Sequence, residues 1–218
     1  MAHPNLGRLL VSRQDARRRY DSPRRRDQAE ATRADIAAAA RRLFMERGWA
    51  GTRVRDVAAA AGVAEPTVYA VYGSKASLAL ALIDATAADA DLDTQEAELT
   101  AAAGDPASQL AAMVAFDRRL FERGGDVLGL LHDAGRAEPG LAAAYRDGRA
   151  QADQVRRRVL GTWPPHACRE GMDLRLAVDT YAALCNIGVY RTLTEERGWS
   201  PGQIEQWWRD CLIRLILR

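Results

Sequence analysis

The chain has 218 residues, 48% hydrophobic and 28% charged, an ordinary globular balance with room for one large domain or two small ones. No apolar run approaches the roughly 20 residues of a membrane-spanning helix, no charged-apolar-small leader opens the chain, and the three scattered cysteines, Cys168, Cys185 and Cys211, argue against a disulfide framework, so a cytoplasmic protein with no membrane partner is the expectation. The formal charge of +2 conceals an asymmetry: residues 1–75 carry fifteen Arg or Lys against eight Asp or Glu, residues 76–218 sixteen against twenty-one, and a polyanion is expected at the basic front.

Alanine is abundant and β-branched residues are sparse, which predicts an all-α fold. Residues 1–26 hold eight arginines opposed only by Asp15 and Asp21 and show no helical period. They read as a flexible basic arm; an organelle transit peptide shares the arginine content but lacks such acidic residues. The spacing of Ile36, Ala40, Leu43 and Phe44 predicts a helix over 28–47, stopped by Gly48. Thr52 stands where an N-cap belongs, before Val54, Val57, Ala58 and Ala61, and Gly62 closes this second helix. Pro66 suits the first turn of a third helix over 66–72, and Ser74 can cap a fourth running toward 92. Later segments at 106–123, 126–135, 139–160, 169–191 and 201–218 read as helices, punctuated by Gly104, Gly124 and Gly125, and Trp163-Pro164-Pro165.

Two short helices meeting at Gly62 raise the helix-turn-helix question. Counting from Val54, Ala58 is fifth, where a small side chain lets the helices approach, and Gly62 is ninth, where the chain turns with φ > 0. Val57, Ala61, Val63, Val68 and Val71 fill the positions that pack the pair. A plain helical hairpin in a core satisfies the same packing rules; the flanking basic charge favours DNA, with the second helix offered to the major groove.

Phe44-x3-Gly48, Gly51-Thr52, Val54-Arg55-Asp56-Val57-Ala58, Ala61-Gly62-Val63, Val68-Tyr69, Tyr72, Ser74-Lys75 and Leu78 resemble the N-terminal pattern of the TetR family of bacterial transcriptional regulators, over roughly residues 30 to 80. The resemblance implies an N-terminal three-helix DNA-binding domain, set at 27–76, and a C-terminal helical effector-binding and dimerisation domain at 77–218. It gives Tyr69 and Lys75 contacts to operator phosphate and Thr52 both a cap and a phosphate contact, while Tyr72 falls on a core position. Lys75 is the only lysine beside thirty arginines, and a compact ammonium acts on phosphate as a point charge. Base reading falls to Ala64, Glu65 and Thr67: Ala64 can touch a thymine methyl and Glu65 can accept from a cytosine amino group, or serve as a first-turn acidic residue of its own helix. Ala70 and Val71 depart from the more polar or aromatic residues of many relatives, which leaves specificity to DNA shape or to arginines of the arm in the minor groove.

In the acidic half, Ser200, Pro201 and Gln203 form a capping-box start. Ile204, Trp207, Trp208, Cys211, Leu212, Leu215 and Ile216 then make one apolar stripe to the chain end. Leu174, Val178, Tyr181, Cys185 and Gly188 make a comparable face. Either stripe can be buried internally; the resemblance implies that the last two long helices pair with a second copy, forming a homodimer seam through Tyr181, Cys185, Gly188, Ile204, Trp207, Trp208, Cys211, Leu212 and Leu215. It also implies an effector pocket, for which Met113, Phe116, His132, Tyr145, Trp163 and Tyr181 are candidates, and their apolar and aromatic character suits a hydrophobic molecule. No enzyme motif is present: His3, His132 and His166 are isolated, and His166-x-Cys168 supplies two ligands where a closed zinc site takes four. No cofactor or metal is expected. The reading is a ligand-responsive repressor on a pseudo-palindromic double-stranded operator. Its alternatives are a sequence-tolerant architectural DNA binder and a helical ligand-binding dimer with a vestigial DNA module.

Overall fold

Apolar periodicity sets where this chain is helical, and a few glycine, proline and asparagine residues set where each helix starts and stops. The computed structural model describes residues 23–89, 92–135 and 138–218. They form α1 Pro23–Gly51, α2 Val54–Ala60, α3 Glu65–Tyr72, α4 Lys75–Asp89, α5 Leu92–Ala101, α6 Pro106–Ala134, α7 Pro139–Leu160, α8 Leu174–Leu184, α9 Ile187–Arg191 and α10 Pro201–Ile216. Among the described residues β pairing is confined to the bridge between Cys168 and Leu217. No described helix is long and apolar enough to cross a membrane. The basic arm lies outside the described residues up to position 22, and 23–26 already belong to α1.

The interruptions differ from the sequence expectation in three places. Gly124 and Gly125 do not break the chain; they lie inside a continuous α6 of 29 residues. Each glycine costs a helix interior about 1 kcal/mol, and packing opposes that cost: a Cβ on Gly125 would stand 3.3 Å from Ile187 Cδ1 and one on Gly129 2.9 Å from Arg191 Nη1. The glycines let α9 approach α6. The stretch 169–191, expected as one helix, breaks instead at Cys185 and Asn186. Asn186 closes both ends of the break. Its Oδ1 accepts from Val189 N at 3.1 Å and its Nδ2 donates to the Ala183 carbonyl at 2.8 Å, the local bonding that makes asparagine a helix terminator rather than an interior residue. The fourth helix ends at Asp89, and a separate α5, not anticipated, follows. The start of α10 carries the expected capping box, with Gln203 N donating to Ser200 Oγ and Ser200 N to Gln203 Oε1.

Two apolar cores result. The first gathers Ile36, Leu43, Phe44, Val57, Val68 and Leu78 with Val127, Leu131 and Leu141. The second gathers Leu110, Met113, Phe121, Tyr181, Trp208 and Leu212. Helix α6, about 44 Å long at 1.5 Å per residue, contributes its C-terminal part to the first and its N-terminal part to the second. Packing therefore crosses residue 76, and α6 with the start of α7 completes the core under the N-terminal helices.

Candidate nucleic-acid interface

The α2–α3 pair is rigid for reasons visible residue by residue. Gly62 takes φ 67, Val63 N donates to the Ala58 carbonyl at 3.0 Å, and Val57, Ala58 and Val68 are buried between the helices. On α3 the inward positions are Val68 and Tyr72, one turn apart. Tyr72 Oη donates to the Arg33 carbonyl at 2.9 Å, with the Arg33 guanidinium 5.1 Å from its ring centroid. Burial pushes the Tyr72 hydroxyl up, opposed by the Arg33 charge. It packs, as its core position required. The opposite face of α3 is exposed at Glu65, Pro66, Tyr69 and Ala70, and Tyr69, 46% exposed, is the largest side chain on it. Ala64, the residue capping α3, is also exposed, and Thr67 is half-buried between the two faces.

Thr52 is placed differently from expectation. The residue capping α2 is Arg53, whose N–H donates to Asp56 Oδ2 at 3.3 Å. Thr52 is 1% exposed. Its hydroxyl hydrogen is directed at two carbonyls of α1, those of Leu43 at 3.0 Å and Gly48 at 2.9 Å. Gly48, at φ 68 and ψ 178, turns its carbonyl toward that hydroxyl, so Thr52 locks the end of α1 instead of presenting a donor outward.

Lys75, the first residue of α4, is half-buried. Its ammonium donates to the Trp49 carbonyl and lies 4.0 Å from the Trp49 ring centroid and 5.8 Å from that of Phe44. A cation over an indole face is attracted by the ring quadrupole. Desolvation pushes this ammonium below its ordinary value, and the negative charge of Glu138 acts the other way. Trp49 was not singled out from the sequence; the signal was an aromatic immediately after a glycine stop. Arg47, Arg53 and Arg55, none of them expected from the sequence to contact DNA, are exposed around the start of α2, with Arg47 and Arg55 4.0 and 3.8 Å from the Asp56 carboxylate.

Two features join this end to the rest. Arg41 on α1 pairs with Asp126 on α6 through two 2.8 Å bonds and donates to the Arg123 carbonyl at 2.7 Å. Beside it lies a cleft of about 590 Å³ walled by Phe44, Trp49, Asp126, Asp133 and Arg191.

Comparison with known proteins agrees with this geometry. The sequence profile of bacterial regulatory proteins of the tetR family matches residues 36–82, the stretch from the middle of α1 into α4. Over that stretch the chain is similar to the TetR family. The HTH-type transcriptional regulator TtgR of Pseudomonas putida is 43% identical over 61 residues, 28% of this chain; the match spans only 29% of that relative's length. Beyond the DNA-binding end the likeness is one of fold. A protein from Saccharomonospora viridis in complex with choline superimposes with a TM-score of 0.69 at 23% identity, covering 85% of this chain and 97% of that one. NalD, the secondary repressor of the MexAB-OprM multidrug efflux pump in Pseudomonas aeruginosa, gives 0.69 at 20% identity, covering 88% and 98%.

Of the effector residues expected from the sequence, the second core brings together Met113, Trp163 and Tyr181, with Tyr145 packed against it, and does not include Phe116 or His132. Trp163 Nε1 donates to Gln109 Oε1 at 2.6 Å. His132 is exposed, its ring 5.5 Å from that of Tyr145 in an edge-on contact, and Phe116 is half-buried. The second core holds instead a charged group the sequence did not reveal. Asp117 and Arg156, each 7% exposed, pair at 3.1 Å, and the Arg156 guanidinium lies 4.5 Å from the Tyr181 ring centroid.

The residues expected at a dimer seam divide in the same way. Tyr181, Cys185, Ile204, Trp208 and Leu212 are all buried in the protomer's own core. Gly188, Trp207, Cys211 and Leu215 remain at least partly exposed. Leu174 and Leu176, 44% and 47% exposed, add apolar surface on α8 beside Leu215 at 47% on α10. No group of three or more His, Cys, Asp or Glu among the described residues is arranged to hold a metal.

Proposed function

We propose that this protein is a TetR-family regulator, a ligand-responsive repressor that binds a pseudo-palindromic double-stranded operator as a homodimer and is released by a small, largely hydrophobic effector. The observation that carries the reading is the outward face of α3. It is held by Val68 and Tyr72 from beneath and leaves Glu65, Tyr69 and Ala70 exposed with Ala64 at the helix start, the presentation a recognition helix needs in a major groove. In this reading Ala64, Glu65 and Thr67 read base edges. Tyr69 and Lys75 contact phosphate, and Arg53 and Arg55 add positive charge along the backbone. Thr52 acts indirectly, by fixing the end of α1.

Dimerisation is supported by Leu174, Leu176 and Leu215, exposed on two helices that pack against each other. Apolar surface of this kind on a helix pair suits a self-complementary interface. NalD is a repressor and the Saccharomonospora viridis protein was solved with choline; by analogy of fold the first supports repression and the second a small-molecule ligand. Selection from a randomised duplex library, with light scattering of the purified protein, tests the reading. Two inverted half-sites about one DNA turn apart, or a whole multiple of it, and a dimeric mass are expected; a single asymmetric site bound by a monomer would overturn it.

A further inference from the structure

A cleft of about 590 Å³ lies where the end of α1 meets α6 and α9, a volume within the range of small-ligand sites. Three local departures from a regular helix shape it. Gly48, at φ 68 and ψ 178, kinks the end of α1, and Trp49 beyond the kink joins Phe44 and Met45 in one wall. Gly125 and Gly129 thin α6, so that α9 comes close enough for Arg191 to lie against Gly129. After α9, Thr192–Glu196 forms a π-helical turn, with Arg197 N donating to the Thr192 carbonyl at 3.2 Å, and Glu195 of that turn lines the cleft. Such turns are uncommon and recur at functional sites.

The lining divides into an apolar part and two charged groups. On α6, Asp126, Leu130, Asp133 and Ala134 fall at i, i+4, i+7 and i+8, one helix face. Opposite them, Phe44 and Trp49 have ring centroids 5.4 Å apart, and Met45 is 39% exposed. Asp126 is neutralised, since Arg41 Nε and Nη2 donate to its two oxygens, both at 2.8 Å. Asp133, about 10 Å farther along the helix axis, is not. Arg191 donates from Nη1 to Asp133 Oδ2 at 2.9 Å and from Nε to Glu195 Oε1 at 3.0 Å. Two carboxylates thus share one guanidinium, which leaves one negative charge over. His132 Nδ1, 3.1 Å from Asp133 Oδ1, adds a positive charge only when protonated. Both carboxylates can be reached from solvent, with side chains 62% and 59% exposed. The other lining arginine, Arg47, faces Asp56 at 4.0 Å.

Surplus negative charge beside an apolar and aromatic wall suits a cation that carries apolar surface of its own. A bare metal ion does not fit, because no group of three or more His, Cys, Asp or Glu among the described residues is arranged to hold one. We propose that this cleft is a second small-molecule site, for an organic ammonium whose apolar body lies against Met45, Trp49 and Leu130 and whose charge is held by Asp133 and Glu195. None of the effector residues expected from the sequence lines it, so the site is separate from that of the proposed effector and does not depend on it.

The test uses the full chain and three probes of like length: 4-phenylbutylammonium, 4-phenylbutanol and 4-phenylbutyrate. Calorimetry gives the affinities, and the indole N–H resonance of Trp49, assigned through Trp49→Phe, reports where the probe sits. The ammonium is expected to bind about two- to fivefold more tightly than the alcohol, the range of exposed charge pairs, and to shift the Trp49 resonance in step with occupancy. Glu195→Gln and, separately, Asp133→Asn remove the surplus charge, and thermal unfolding checks that both are folded. Each is expected to bring the ammonium down to the affinity of the alcohol, while the alcohol binds as it does to the unmodified protein. Equal affinity for ammonium and alcohol in the unmodified protein, or tighter binding of the butyrate, would overturn the assignment of a cation. Ammonium binding that leaves the Trp49 resonance unmoved, or that is unchanged in both folded variants, would put the cation elsewhere and overturn the site. So would the absence of saturable ammonium binding up to about 10 mM.

Discussion

Removing Arg156 isolates the buried charge at the centre of the C-terminal half. Its Nη2 donates to Asp117 Oδ2 at 3.1 Å and its Nη1 to Asp153 Oδ1 at 2.8 Å, while its face covers the Tyr181 ring. Burial pushes the Asp117 carboxyl up from its ordinary value, and Arg156 is the largest influence opposing that rise. Arg156→Met keeps most of the apolar stem and leaves Asp117 buried without its counter-charge. Breaking a buried pair in this way costs about 3–5 kcal/mol. For a chain of this size that lowers the unfolding midpoint by about 6–20 °C. An Asp whose folded pKa exceeds its unfolded value of about 3.9 binds its proton more tightly when folded. It lowers stability progressively as pH rises from the unfolded value through the folded one. Without Arg156 the folded value climbs further, so the deficit is largest above the folded value and shrinks as pH falls through it toward the unfolded one. Thermal unfolding at a series of pH values, for the unmodified protein, Arg156→Met and Asp117→Leu/Arg156→Met, checks this. The double variant is expected to recover much of the loss, because an apolar pair replaces an unpaired charge. A deficit constant with pH and untouched by the second substitution would refute the assignment of the loss to Asp117.

Thr52→Val removes the hydroxyl that serves the Leu43 and Gly48 carbonyls and should cost about 1–3 kcal/mol in thermal unfolding; at temperatures where the protein remains folded, the salt slope of DNA binding should not change. Asn186→Ala opens the α8–α9 turn at both ends and should cost about 1–2 kcal/mol, read by the same unfolding experiment; no loss would mean that the Gly125 and Gly129 contacts alone fix α9. Tyr69→Ala, on an exposed position, should leave stability within about 0.5 kcal/mol while weakening binding to specific and scrambled duplexes by similar factors, measured by anisotropy.

The sequence was most legible where one residue had one geometric job. Gly62 needed φ > 0 and has it, and Ser200 with Gln203 needed a capping box and forms one. Tyr72 sat on a core position and is buried there. It was least legible where two local rules competed with tertiary contact. Gly124 and Gly125 carry a breaker signal that the approach of Ile187 and Tyr190 overrides. Thr52 satisfies the cap composition, but the turn at Gly48 presents carbonyls that claim its hydroxyl. The stripes on α8 and α10 were correctly apolar, yet periodicity does not say which part of a wide stripe faces the protomer's own core. Tyr181, Trp208 and Leu212 do so, while Leu215 stands exposed. The pairs Asp117–Arg156 and Arg41–Asp126 join residues 39 and 85 positions apart, and no local pattern announces them. The Lys75 niche escaped for the same reason, since Trp49 comes to it from another element 26 positions away.

The central claim is that the exposed face of α3 reads a particular DNA sequence. Gel shift of the purified full-length protein at near-physiological salt, on duplex spanning the DNA that flanks its own gene against a scrambled duplex of equal length and composition, tests it most directly. A discrete complex on the native duplex, at protein concentrations that leave the scrambled one free, is the predicted result. Equal binding to both, rising and falling together with salt, or none to either by a folded dimer, would contradict it.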